Sequence, residues 1–475
     1  MNIDRRGFLG LTGLVAASAA LAACAGTGSS GSSESASAAN TIKFWSNHPG
    51  KSQDVERELI ARFEAKYPDL TVDLIDGGKN YEEVSQKFNA ALSGGDLPDV
   101  VVLSDVWWFN YALTGAITPL DDLFAEVGVD TGDYVDSLLA DYLFEGRHFA
   151  LPYARSTPLF YYNRDVWRQA DLPDRGPATW QEFAEWGPEL QRVVGSGKLA
   201  HGWGNAKDSL GWTVEGPIWT FGGAYSDGWR LRFGDAETIA AGQFLKDMIH
   251  TGRYAGVSTD IANDFSAGII ASTIASTGDL SGITANAAFD FGTAFLPAPD
   301  GTPGCPTGGA GLAIPANISD ERKRNALKFV DFVTNGENTA YFSQKIGYMP
   351  VRKSATEDPG MRAFLEQNPN ARTAVDQLAR TRSQDYARVF VPGGDQIIGT
   401  GLEQIALIKG VLSSIGALGG AALGGWMCFR YGRRRALLVG GVTQTALQGA
   451  DVPTAIGDAP RQLQQIIYRQ ITPNL

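Results

Sequence analysis

Cysteine is almost absent from this chain, three among 475 residues, which is too few for a disulfide framework. Histidine is nearly as scarce. The four, His48, His148, His201 and His250, lie at least 49 residues apart, and neither a His-x-x-x-His nor a Cys-x-x-Cys pair exists to grip a metal. Basic residues number 40 against 52 acidic ones, and the net charge of −12 offers no face for nucleic-acid phosphates. With 44% hydrophobic and 19% charged residues, the composition is that of a globular protein of two or three domains, not of a polytopic permease. No Gly-x-Ser-x-Gly elbow is present. "GSGKL" at 195–199 fails as a phosphate loop, because Arg192 stands where the upstream glycine belongs and Leu199 where Ser or Thr must follow the lysine. Acid–base chemistry by two distant carboxylates stays open on sequence grounds, but nothing singles out a pair. No enzyme, cofactor or metal is therefore expected.

Two stretches stand apart from the globular pattern. At the N-terminus, Arg5 and Arg6 in "DRRGFLG" precede an apolar run that closes on "LAAC". This resembles a twin-arginine export signal, residues 1–23, ending in a lipobox that frees Cys24 for lipid attachment. The run is short for a membrane span of roughly 20 residues. Residues 24–40 are small, polar and rich in Gly and Ser, and read as a flexible tether. Near the other end, residues 411–429 carry no charge and are followed by Arg430, Arg433, Arg434 and Arg435. That is how a spanning helix with a basic flank reads.

Between them the pattern is regular. "TIKFWS" (41–46) reads as a strand, 53–67 as a helix with Val55, Leu59 and Phe63 at four-residue spacing, and Pro68 as its stop. "TVDLID" (71–76) reads as a second strand, 81–92 as a helix with Val84, Phe88 and Leu92 on one face, and "DVVVLS" (99–104) as a fully buried strand. Alternating strand and helix predicts an α/β protein with a parallel sheet. Ligands in such sheets bind beyond the carboxyl ends of the strands, which points to residues 46–50, 77–81 and 104–108.

Aromatic side chains are abundant in polar, glycine-rich settings: "DVWWFNY", "HGWGN", "GWTVEGPIWTFGGAYSDGW". Flat apolar faces beside hydrogen-bond donors suit a pocket for a polar organic ligand, although most such rings pack ordinary cores. "LFYYN" (159–163) reads as a buried strand. Trp212, between Gly211 and Thr213 in a loop-like segment, reads as a pocket residue.

"STPLFYYNRDVWRQADLP" followed by "TWQEFAEWGPELQ" resembles the segment shared by extracytoplasmic solute-binding proteins of carbohydrate-type ABC importers. "KFWSNHPG", "ASTGDL", "PTGGAGLAIP", "GYMPVRKS" and "DYARVFVPGGD" are similar in turn to the glycerol-3-phosphate- and glycerophosphodiester-binding lipoproteins of actinobacteria. The resemblance runs from Thr41 to about Leu407, with a tail at 448–470. It implies a two-lobed periplasmic-binding-protein fold of type II, with a hinge and a ligand cleft between lobes. The implied lobes are 41–154 plus 310–350, and 155–309 plus 351–475. Carried over by motif, the ligand-binding residues are Tyr81, Asp105, Ser156, Trp212, Ser276, Gly309, Tyr348 and Arg388. Contacts from Lys207 to Ser209 are left open. Arg388 offers a planar fork to phosphate, and the Tyr and Ser hydroxyls offer neutral donors, although each residue taken alone also has a structural reading. The implied partners are glycerophosphocholine or sn-glycerol-3-phosphate, the permease subunits of an ABC importer, and the membrane through lipid on Cys24. The implied state is a monomer on the outer face of the cell membrane. The alternatives are an oligosaccharide-binding lipoprotein and an extracellular hydrolase on a similar scaffold.

Residues 408–446 have no counterpart in that resemblance. "GGWMCFRYGRRR" resembles the basic loop of major-facilitator permeases, except that Phe429 replaces the acidic residue. One hairpin without its partner helices makes no transport path, so the stretch reads as an insertion within the second lobe.

Overall fold

The computed structural model describes residues 39–47, 52–206 and 209–407, together with residue 465. The export signal, most of the tether and the 408–446 stretch lie outside the described residues. The last two tether residues are docked: Ala39 O accepts from Asn325 Nδ2 at 3.1 Å, and Asn40 O accepts from the amide of Thr71 at 2.9 Å.

The chain opens with β1 (Thr41–Ser46), α1 (Gln53–Lys66), β2 (Thr71–Asp76), α2 (Tyr81–Gly94) and β3 (Val100–Ser104), then reaches β4 (Leu151–Ser156). α1 buries Leu59, Ile60 and Phe63, together with Glu56. Asn80 caps α2 by accepting from the Glu83 amide, and Gly95 ends it in the left-handed conformation at φ 89°. β3 is buried along its whole length.

One residue past β4, β5 (Pro158–Asn163) begins a second sheet with β6 (His201–Gly204), β7 (Ala255–Ser258), β8 (Ser272–Ser276) and β9 (Phe291–Ala294); β10 (Gly308–Ala313) then returns to the first. The strand orders are β2-β1-β3-β10-β4 and β7-β6-β8-β5-β9. As expected, β5 is buried throughout. Neither sheet is purely parallel, contrary to the reading of alternating elements. β1 is parallel to β2 and β3, but β10 is antiparallel to β3 and β4, and β5 to β8 and β9. The reversed strands, β5 and β10, are those that follow a crossing between sheets, so each enters its sheet against the local βαβ direction.

Among the helices that matter for the site are α3 (Leu210–Thr213), α4 (Glu215–Thr220), α5 (Asp320–Val333), α6 (Gly336–Ile346), α7 (Tyr386–Val389) and α8 (Gly394–Leu407). α5 and α6 cover the first sheet through Phe329, whose ring meets Phe44 and Phe63 edge-on at 5.3 and 5.2 Å, and through Phe342 against Tyr153 at 4.9 Å. No helix among the described residues is long and apolar enough to cross a membrane.

Candidate functional site

The carboxyl ends of β1, β2 and β3 lie on the same edge of the first sheet, because β1 pairs in parallel with both neighbours. The Gly77 amide donates to Ser46 O at 2.7 Å, closing the step between β2 and β1. Tyr81 is the first residue of α2, fixed there by the Asn80 cap. Its hydroxyl hydrogen-bonds with Tyr348, and burial, with the nearby Tyr348 and Asp105 charges, pushes its pKa well above the phenolic value. Burial pushes Tyr348 up to about 12.

Asp105 follows β3 directly. Its amide donates to Gly309 O at 2.9 Å, Ser104 Oγ donates to Oδ1 at 3.1 Å, and Gln384 Nε2 donates to Oδ2. Arg155 Nη1 lies 3.8 Å from the same Oδ2 and donates to the Tyr142 hydroxyl oxygen, Oη, at 2.9 Å. Its Nη2 donates to Asp141 Oδ2, which also accepts from Thr307 Oγ1 at 2.6 Å. Burial works against the Arg155 charge, but Tyr142, Asp141 and Asp105 outweigh it, so the guanidinium is held more firmly protonated. Burial raises the Asp141 carboxyl despite Arg155 beside it.

Trp212 sits in the short helix α3, not in the loop its neighbours suggest. Its Nε1 donates to Thr307 O at 2.9 Å, and its ring lies against Gly308, where a Cβ would come within 2.6 Å of ring carbons. Gly309 adopts φ +105°, and a Cβ there would stand 2.1 Å from Ala154 O. Ser156 ends β4 opposite Gly308. Ser276 ends β8, and its Oγ accepts from the Gly278 amide at 3.0 Å; Gly278 in turn lies under the Tyr348 ring.

Arg388, in α7, is buried, not a surface ion pair. Nε donates to Asp395 Oδ1 at 2.7 Å. Burial opposes its charge, and Asp395, Asp105, Glu215 and Tyr225 together raise its pKa. The structure thus brings all eight sequence-predicted residues to one seam between the sheets. Cys24 lies outside the described residues, as do Lys207 and Asp208.

Sequence reasoning missed Arg155, Asp141, Glu215 and Gln384. The signal for the first was an arginine inside the strand "LPYARS", adjacent to the nominated Ser156. Around the seam Arg155 Nε, Arg388 Nη1, Glu215 Oε2 and Gln384 Oε1 are buried without a hydrogen-bond partner among the described residues. Each such atom costs about 1–3 kcal/mol unless something supplies its bond, and the mixture of donors and acceptors fits a ligand carrying both an anion and donor groups. Among the described residues no group of three or more His, Cys, Asp or Glu is placed to hold a metal.

The model of a family described as bacterial extracellular solute-binding protein matches residues 58–373. The sn-glycerol-3-phosphate-binding periplasmic protein UgpB of Escherichia coli (strain K12) is 29% identical over 361 residues, covering 72% of this chain and 81% of that protein. Among solved structures, UgpB from Mycobacterium tuberculosis in complex with glycerophosphocholine is 58% identical, with a TM-score of 0.80 over 91% of this chain and 99% of that one. The cyclic alpha-maltosyl-1,6-maltose binding protein from Arthrobacter globiformis superimposes with a TM-score of 0.69 at 18% identity, over 90% of this chain and 98% of that one. The likeness at that distance is one of fold alone, and the fold is the two-lobed type II binding-protein architecture.

Proposed function

Because the chain belongs to the bacterial extracellular solute-binding proteins, we propose that it captures a glycerophosphodiester outside the cell and delivers it to the permease of an ABC importer. Glycerophosphocholine is the first candidate and sn-glycerol-3-phosphate the second. The E. coli and M. tuberculosis relatives, named for these two ligands, support that choice. No chemical step is assigned to the seam. Lipid attachment at Cys24, export by the twin-arginine route and a monomeric state complete the reading. So does the partition into lobes 41–154 plus 310–350 and 155–309 plus 351–475, with 408–446 as an insertion.

The observation that carries the ligand class is the charge inventory of the seam. Arg388 presents a buried Nη1 without a partner among the described residues, next to Asp105 and Glu215. Arg155 commits both terminal nitrogens to Tyr142 and Asp141 and keeps only a buried Nε without a partner among the described residues. A phosphodiester brings one negative charge to these few uncommitted arginine donors, whereas a phosphomonoester brings nearly two beside carboxylates that repel it. A quaternary ammonium gains from the aromatic faces of Trp212 or Tyr81 and from the nearby acid, about 0.5–2 kcal/mol for each ring.

Calorimetric titration of the purified protein with glycerophosphocholine, sn-glycerol-3-phosphate and maltose tests this. Glycerophosphocholine should bind most tightly and be recovered intact. Preference for maltose, or repeated turnover of the ester, sinks the reading.

A further inference from the structure

Tyr348 belongs to two places at once. It hydrogen-bonds with Tyr81 at the seam, and it also lines a groove of about 340 Å³, within the size range of small-ligand sites. The groove runs between the helix Leu280–Asn286, the end of α6, and the helices Pro359–Gln367 and Pro369–Asp376. α6 falls in one proposed lobe and the other three helices in the second, so the groove lies across the joint between them. Ser281 Oγ donates over that joint to Ile346 O at 2.9 Å. Met349, on the groove wall, donates its amide to Arg155 O at 2.7 Å.

The lining has a consistent chemistry. Two apolar clusters separate from the main core meet at the groove, with Leu280, Met349 and Ala374 in one and Met361 and Leu365 in the other. Ala371 and Val375 pack against both. None of the described residues that line the groove carries a charge, in a chain with 40 basic and 52 acidic residues. An ion entering would lose hydration without gaining a counter-charge, whereas an apolar chain gains by burial. The exposed rim is polar: Ser281, Thr284, Gln367 and Asn368. Ser281 Oγ donates to Ile346 O, Thr284 Oγ1 to Leu280 O at 2.7 Å, and Asn368 Nδ2 to Phe364 O at 2.8 Å. With those donors engaged, the three side chains keep oxygen acceptors, which suit a head group that brings hydroxyls.

We propose that this groove is a second ligand site, for a neutral amphiphile with one medium-length apolar chain and a hydroxylated head. The site itself does not depend on which solute the seam takes. Its effect on the seam follows from linkage. The groove is formed in the same arrangement that joins Tyr348 to Tyr81 and Met349 to Arg155, so an occupant selects that arrangement and tightens capture at the seam.

The test titrates the wild type by calorimetry with three probes that share an eight-carbon chain, all below their micelle concentrations: monooctanoylglycerol, octanoate and octyltrimethylammonium. The neutral glyceride should bind at least about tenfold more tightly than either ion. Thr284→Trp at the rim and Ala371→Trp between the two clusters should each weaken it about tenfold or more, while binding of glycerophosphocholine reports that the variants are folded. Saturating glyceride should tighten wild-type affinity for glycerophosphocholine about fivefold, and this response should vanish in both variants. A glyceride that does not bind, binds no better than the two ions, or binds both variants as well as the wild type overturns the site. Binding that leaves glycerophosphocholine affinity unchanged overturns the coupling.

Discussion

Arg388 is tied to Asp395, Nε to Oδ1 at 2.7 Å across seven residues of one chain, while its Nη1 is buried with no partner among the described residues. The bond to Asp395 holds the guanidinium plane in place before any ligand arrives, so little side-chain entropy remains to be lost on binding. Arg388→Ala should therefore weaken glycerophosphocholine binding by on the order of 1.5–3 kcal/mol, because it strands the phosphate charge in a buried site. Arg388→Lys, which keeps the charge but loses the fork, should fall between the two. An alanine variant that binds as tightly as the wild type removes Arg388 from the site.

Gly309 supplies a second, purely steric test. At φ +105° and with Ala154 O standing 2.1 Å from where its Cβ would be, no side chain fits without moving β10 away from β4. Gly309→Ala should cost on the order of 2 kcal/mol or more in denaturant unfolding. It should also weaken ligand binding, since the Asp105 amide donates to Gly309 O. Gly301→Ala, also at positive φ but with open space around it, is the control: backbone strain without the clash.

Glu56 gives the pH prediction. It is 2% exposed, with Oε1 accepting from Ser46 Oγ at 2.7 Å and from Tyr153 OH at 3.1 Å, and Oε2 buried without a partner among the described residues. Burial pushes its pKa from 4.5 to about 7, against the lowering effect of the two hydroxyls. A carboxyl raised on folding leaves stability intact below about 4.5, where both states are protonated. Stability then declines as pH rises toward 7, where the unfolded chain ionises and the folded one resists. Glu56→Gln should lose this decline. Its unfolding free energy relative to the wild type should climb between pH 4.5 and 8 by on the order of 3 kcal/mol. Parallel stability curves across that range would place the Glu56 pKa near its ordinary value.

What the sequence made legible follows from how local each signal is. β1, α1, β2, α2 and β3 were readable because their apolar spacing is contained in a dozen residues or fewer. The reversal of β10 was not, since "GGAGLA" carries no direction and its pairing with β3 joins residues some two hundred positions apart. The eight site residues came through motif resemblance, not through periodicity. Gln384 escaped because its meaning lies in a bond to Asp105, 279 residues away, and Glu215 because an acid inside an apolar helix declares itself only once Asp385 N is seen to donate to it. Trp212 was nominated for its glycine neighbour Gly211, whereas its seat depends on Gly308, the first residue of β10.

Trp212 also allows packing to be separated from recognition of the cationic head. Its Nε1 donates to Thr307 O at 2.9 Å, and one face of the ring is occupied by Gly308. Trp212→Phe removes the hydrogen bond but keeps an aromatic face, so it should cost about 1 kcal/mol of stability and leave much of the choline preference. Trp212→Ala removes both, and opens a void beside Gly308 that should cost about 3–5 kcal/mol if the surroundings do not collapse. Its binding signature is the deciding one. If the ring meets the quaternary ammonium, affinity for glycerophosphocholine should drop by about 0.5–2 kcal/mol more than affinity for glycerophosphoglycerol, whose second alcohol carries no charge. Ratios of the two dissociation constants in wild type, Trp212→Phe and Trp212→Ala measure this directly, because any general loosening of the seam cancels in the ratio. An unchanged ratio in Trp212→Ala would confine the ring to packing and leave Tyr81 as the aromatic face for the cation.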